Sequence, residues 1–424
     1  KDDLLTESEV KACDFGDNTA KIDYEKLYNN RYPLLKKAFR RFKSNDNYNT
    51  FIEENDNWLN DYALFMAIKS AHNGAAWYTW EKELIVKKPE AIKKAHHDYI
   101  DDINFHKFLQ FEFYKQWSAL KDYANKNGVK IIGDIPIYVA FDSSDVWANP
   151  KQFQLDDDYT PRAVAGVPPD AFSEDGQLWG NPLYDWNYMK QTGYAWWKDY
   201  LGHALKRYDA VRIDHFRGFE SYFAIPYGDK NAKRGKWIKG PDADLFKTFR
   251  QQFGTDLPII AEDLGVITPA VRKLLNFTGF PGMKVLEFAF DSRDTGSAND
   301  YLPHNYPENS VVYTGTHDNE TLNGWFQSIT EEERTRVREY LCDFHTPQEE
   351  LGRAMIALVM RSAANMCIIP LQDYLGLDNR SRINTPSTMG INWRWRVKKG
   401  QLTKEVQQDI LAATIRYGRR NKRN

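Results

Sequence analysis

The chain has 424 residues, with 57 Lys and Arg against 59 Asp and Glu, and a formal charge of −2. That balance offers no basic field to a nucleic-acid backbone, and no apolar run approaches the roughly 20 residues of a membrane-spanning helix, so neither nucleic acid nor membrane is expected as a partner. Cys13, Cys342 and Cys367 form an odd set without metal-ligand spacing, which argues against zinc and redox chemistry and suits a reducing compartment. The polar opening KDDLLTESEV lacks the apolar core of a signal peptide, so the expected location is the cytoplasm, or the plastid stroma in a plant or alga. Thirteen Trp, 24 Tyr and 24 Phe make 14% of the chain. Flat amphipathic rings suit a carbohydrate ligand, although a large fold also buries aromatics in its core.

Along the chain, helical spacing comes first, in 24–42 and 60–69, with Pro33 expected to kink or divide the first of these. A third helical run, 105–128, ends on Asn127 and Gly128, a left-handed cap signal, and feeds the apolar run VKIIGDIPIYVA. The pattern then repeats: helix 189–207 leads to DAVRID, helix 242–253 to LPIIAEDLG and helix 268–277 to GMKVLEFAF, with NSVVYTGTHDN and ANMCIIP as further strand candidates. Six strand candidates, four of them fed by helices, predict an α/β fold with a parallel sheet covered by helices. Residues 1–104 read as a mainly helical insertion subdomain and 105–424 as a catalytic barrel. Within the barrel, 141–188 is too long and aperiodic for an ordinary connection and reads as a substrate-loop insertion. Its Phe172, Trp179 and Trp186 are expected to supply rings to a cleft.

Polar groups recur where the apolar runs end: Asp134, Asp214, Glu262 and Asp318. Side chains at the C-terminal ends of parallel strands converge on one mouth, whereas the same residues on a surface helix would scatter. Breaking a glycosidic bond requires one carboxyl to protonate the departing oxygen and one carboxylate to capture the oxocarbenium-like carbon. Asp214, in VRIDHFRG, has Arg212 two residues away on the same strand face, suited to holding it ionised as a nucleophile must be. Glu262 follows four apolar or small residues, so burial would raise its proton affinity and favour a donor role, with neighbouring Asp263 as the alternative. Asp318 lies beside His317 and Asn319, groups suited to gripping sugar hydroxyls.

Seven stretches together resemble the 4-alpha-glucanotransferases of the amylomaltase or disproportionating-enzyme type, glycoside hydrolase family 77 in the alpha-amylase clan. They are GDIPIYVAFDSSDVW (133–147), PRAVAGVPPDAFSEDGQLWGNPLYDW (161–186), VRIDHFRGFESYFAIP (211–226), IIAEDLG (259–265), LEFAF (286–290), YTGTHDNETLNGW (313–325) and SRINTPSTMGINWRWR (381–396). The resemblance implies a TIM (β/α)8 barrel with helical insertions, of which strands 3 to 8 are recognisable here, the first two and their loop preceding residue 1. It implies retaining transfer between α-1,4-glucans such as maltooligosaccharides, with Asp214 as nucleophile, Glu262 as general acid/base and Asp318 as transition-state stabiliser. It also implies substrate contacts for Asp134, Tyr138, Phe172, Trp179, Asn181, Arg212 and His317; no nicotinamide, phosphate or metal motif in the sequence asks for a cofactor or metal. The closing motif departs from the family at Ser387, commonly Gly, and Ile383, commonly Met, altering no carboxylate. An amylase-like hydrolase, sharing the covalent intermediate, and a non-catalytic starch-binding protein are the alternative readings.

Overall fold

The computed structural model describes residues 3–169, 173–265, 267–292 and 299–420. Ten strands occur among them: β1 (Ile132–Ile135), β2 (Ala163–Val167), β3 (Gln177–Pro182), β4 (Ala210–Ile213), β5 (Ser221–Pro226), β6 (Lys236–Lys239), β7 (Ile259–Ala261), β8 (Gly282–Val285), β9 (Ser310–Tyr313) and β10 (Met366–Ile368). All six candidate runs therefore carry a strand, and the architecture is mixed α/β. The chain divides into two compact units, Lys1–Cys13 with Arg31–Phe280, and Asp14–Asn30 with Pro281–Asn424.

In the first unit β1, β4 and β7 form a parallel sheet in that order. Parallel neighbours cannot be joined by a hairpin, and the helices Ala195–Arg207 and Ala243–Phe253 supply the crossovers. The helix Ile100–Lys126 delivers the chain to β1 through a Schellman closure: Gly128, at φ +76°, donates its N–H to the Asn125 carbonyl, and Val129 donates to that of Ala124, both at 2.9 Å. The left-handed cap expected at Gly128 is thus present. Pro33 does not divide its helix, which runs unbroken over Tyr24–Arg41. Proline's fixed φ is helical, so its cost is one lost hydrogen bond and local crowding, offset here by burial of Leu34 and Ala38 on the same helix.

The segment 141–188 contains more regular structure than its sequence suggests. β2 and β3 pair antiparallel with each other, and β2 with β5 and β5 with β6, giving a four-stranded sheet in the order β3-β2-β5-β6. The core of this unit is aromatic: Trp77, Trp147, Trp197, Tyr184, Phe216, Phe219, Phe246 and Phe249 are all fully buried. Trp186, expected in a cleft, packs instead against Tyr184, Trp197 and Phe219, so much of the aromatic excess builds the core.

In the second unit β8, β9 and β10 form another parallel sheet, in the order β10-β9-β8. Its core gathers Leu286, Val312, Leu322, Phe326, Leu351, Met355 and Val359 around the helices Leu322–Ser328 and Leu351–Met360. Among the described residues no helix is long and apolar enough to cross a membrane.

Candidate active site

Three strand ends assemble the site of the first unit. In the β1–β4 register Asp134 stands opposite Arg212, and in the β4–β7 register Ile213 stands opposite Ala261, so the residues that follow, Asp214 and Glu262, leave adjacent strands side by side. Backbone hydrogen bonds continue beyond the strands: Asp214 N–H donates to the Ile135 carbonyl and Glu262 N–H to that of Ile213, each at 3.0 Å, and Phe216 N–H donates to the Glu262 carbonyl at 2.9 Å. The carboxylates are therefore carried on backbone pinned by its neighbours.

Arg212 is only 8% exposed. Its guanidinium donates through Nε and Nη2 to both carboxylate oxygens of Asp134, at 2.9 and 2.5 Å, and Nη2 also reaches Asp214 Oδ1 at 3.3 Å. Burial works against its charge, yet the hydrogen bonds and charge of Asp134, joined by Asp214 and Glu262, outweigh it and hold the guanidinium firmly protonated. The fork fits a bidentate donor that a lysine would not reproduce.

Glu262 retains a little solvent access, though protein surrounds most of it. Each of its oxygens accepts one backbone N–H, Oε2 from His215 at 2.7 Å and Oε1 from Leu264 at 2.8 Å. His215 takes a left-handed conformation, φ +52°, at the turn after β4 from which its N–H meets Glu262. Desolvation, then the charge of Asp214, push the Glu262 carboxyl up to about 8 against the opposition of the two N–H donors and Arg212. A carboxyl that keeps its proton at neutral pH next to Asp214 has the character of a general acid. This favours Glu262 over Asp263 for that role.

The His215 ring is held neutral: burial, then the charge of Arg217, push it down to about 3. Trp179 meets it edge to face at 4.8 Å and lies 6.4 Å from the buried Tyr138 ring. Trp179, on β3, is 37% exposed and is the large ring of 161–186 that faces solvent among the described residues. Asn181, on the same strand, donates through Nδ2 to the Val139 carbonyl at 2.9 Å, tying β3 to the chain beyond β1. Phe172 lies outside the described residues.

In the second unit, His317 and Asp318 sit on the turn after β9. Asp318 Oδ1 accepts from Asn384 Nδ2 at 2.6 Å, Oδ2 lies 3.3 Å from His317 Nε2, and the Asp318 carbonyl accepts from Arg382 Nη2 at 2.6 Å. Arg382 and Asn384 were not singled out by sequence. They reach Asp318 from far along the chain, and their place within SRINTPSTMGINWRWR was the only available signal. Ser387, in the same segment, has φ +63°, a left-handed conformation that favours glycine, which accounts physically for glycine being common there. Among the described residues no group of three or more His, Cys, Asp or Glu is arranged to hold a metal ion.

The sequence pattern of a family described as 4-alpha-glucanotransferase matches residues 1–403. The 4-alpha-glucanotransferase of Clostridium butyricum is 48% identical over 98% of this chain and 85% of its own length, and that of Synechocystis sp. is 46% identical over 94% and 80%. Among solved structures, the amylomaltase from Streptococcus agalactiae in complex with acarbose superposes with a TM-score of 0.94 at 40% identity, covering 99% of this chain and 84% of that one.

Proposed function

The chain belongs to the 4-alpha-glucanotransferase family, and on that premise we propose how its residues carry out the reaction. It transfers a segment of an α-1,4-glucan to the 4-hydroxyl of another glucan or of glucose. In the first displacement the Asp214 carboxylate attacks C1 of the donor, the C1–O bond breaks, and the Glu262 proton passes to the departing oligosaccharide oxygen. A β-linked glycosyl ester of Asp214 results. In the second, the ionised Glu262 takes the proton of an acceptor 4-hydroxyl, whose oxygen attacks C1 and releases Asp214 as carboxylate, restoring the α linkage.

The observation that carries this reading is the pairing of an ion-paired Asp214 with a proton-holding Glu262 on adjacent strand ends. The same coupling aids the second step. Because the Asp214 charge helps to raise Glu262, forming the ester removes that charge and lowers Glu262 when it must serve as a base. Arg212 pairs its positive charge with Asp214, and Asp134 orients Arg212. Asp318 and His317 grip the hydroxyls of the distorted ring, and Trp179 and Tyr138 line the cleft with Asn181. Transfer prevails over hydrolysis if a bound sugar occupies the acceptor position and excludes water. The six parallel strands are read as consecutive strands of a (β/α)8 barrel, supported by their two all-parallel sheets.

Maltotriose supplied to the purified protein is expected to yield glucose together with maltodextrins longer than the substrate. A product series containing only shorter sugars would establish hydrolysis instead. Asp214→Asn is expected to abolish turnover and leave glucan binding largely intact; unchanged turnover would overturn the nucleophile assignment.

A further inference from the structure

In the first unit, three helices enclose a cavity of about 430 Å³, within the roughly 300–1,000 Å³ of small-molecule sites. Its walls come from the helix Asp46–Glu54, the helix Ile100–Lys126 and the last two turns of Ala195–Arg207. The third helix buries Trp197, Leu201 and Ala204 in the core, and at 100° per residue His203, Lys206 and Arg207 fall on its opposite, outer face. That helix ends just before β4 begins at Ala210, whereas Asp214 follows the far end of the same strand. The cavity and the carboxylates therefore lie toward opposite ends of β4.

The lining combines an apolar wall with donors that have nothing to donate to. Phe51 and Phe111 pack at 5.8 Å, and Trp117 continues the wall. Arg207 commits only Nε to a hydrogen bond, on the His203 carbonyl at 3.3 Å. Among the described residues the side chains of Lys206, His203, Tyr114 and Ser118 make no hydrogen bond or ion pair, and neither do the terminal nitrogens of Arg207. The helix-end carbonyls that would repel an anion are already occupied: that of Lys206 accepts from Lys121 Nζ at 3.1 Å and that of Arg207 from Trp117 Nε1 at 2.9 Å. Glu54 is the one carboxylate in the lining among the described residues.

We propose that this cavity is a binding site for a phosphorylated hexose, separate from the site of glucan transfer. The phosphate oxygens take the Arg207 fork and the Lys206 ammonium, which suit a dianion with several acceptors. The sugar hydroxyls donate to Glu54 and accept from Tyr114 and Ser118, and the ring's C–H face lies on the aromatic wall. Inorganic phosphate would use the cations and leave the wall wet; a neutral hexose would do the reverse. Each should bind more weakly than the two joined.

The test is isothermal titration of the purified full chain with glucose 6-phosphate. Saturable binding of one ligand per chain is expected, with Kd below about 1 mM. Lys206→Ala combined with Arg207→Ala should weaken it about tenfold or more while maltotriose turnover stays within about twofold, which also shows that the variant is folded. Ser118→Trp, which fills the cavity and leaves the cations in place, should weaken it independently. Asp214→Asn should bind glucose 6-phosphate as the wild type does, so the result stands apart from the transfer mechanism. The proposal is overturned if no saturation appears up to about 10 mM, if both cavity variants bind unchanged, or if maltotriose displaces the ligand, which would place it in the glucan cleft. Equal affinity for inorganic phosphate or for adenosine monophosphate would overturn the assignment to a hexose.

Discussion

Raising the pH isolates the proton on Glu262. With its carboxyl pushed up to about 8, roughly nine in ten molecules hold the proton at pH 7, against roughly three in a thousand for a carboxyl at its ordinary 4.5, a gain of about 300-fold in active acid. The sign follows from the role. An acid works protonated, so its contribution is complete below about pH 8 and is lost as pH rises through that value, with kcat/KM falling about tenfold for each further unit. The assay is initial-rate disproportionation of maltotriose from pH 6 to about 9.5, with circular dichroism confirming that the protein stays folded. A maltosyl fluoride donor supplies the control, because fluoride departs without needing a proton and the alkaline loss should vanish from the first displacement. An alkaline midpoint near that of an ordinary carboxyl, or an equal loss with the fluoride donor, would refute the assignment of Glu262.

Three substitutions probe the rest of the site. Arg212→Lys keeps a positive charge but loses the fork to Asp134 and the reach to Asp214; because Asp134 is partly solvated, a stability loss of about 1–3 kcal/mol is expected in urea unfolding, with a clear fall in kcat. Trp179→Ala removes an exposed ring worth about 1 kcal/mol of stacking, so the acceptor KM for glucose or maltose should rise several-fold and the share of hydrolysis increase. Gly133→Ala would place a Cβ 2.1 Å from the Tyr208 ring, one residue before Asp134, and is expected to cost about 1–3 kcal/mol by thermal or urea unfolding.

What the sequence revealed about this site follows from how locally each feature is encoded. A carboxylate at the end of an apolar run is a contiguous pattern, so Asp134, Asp214 and Glu262 could be read directly, and the strand register then placed them together. Gly128 was equally legible, because a left-handed cap needs only the residues around it. The antiparallel sheet was not: β2 is five residues, Ala-Val-Ala-Gly-Val, whose strand character comes from pairing with β5 far along the chain. Trp186 misled because composition cannot tell a ring that lines a cleft from one that packs on Trp197.

The central claim is a covalent glycosyl-Asp214 intermediate, and its most direct test is to trap that species. Glu262→Gln supplied with a maltosyl fluoride should complete the first displacement, which needs no acid, and stall in the second, which needs a base. Mass spectrometry of the digested protein is expected to find one maltosyl addition on the peptide containing Asp214, and none when Asp214→Asn is added to the same protein. A label on Asp134 or another carboxylate, or turnover of the fluoride with no labelled peptide, would contradict the account.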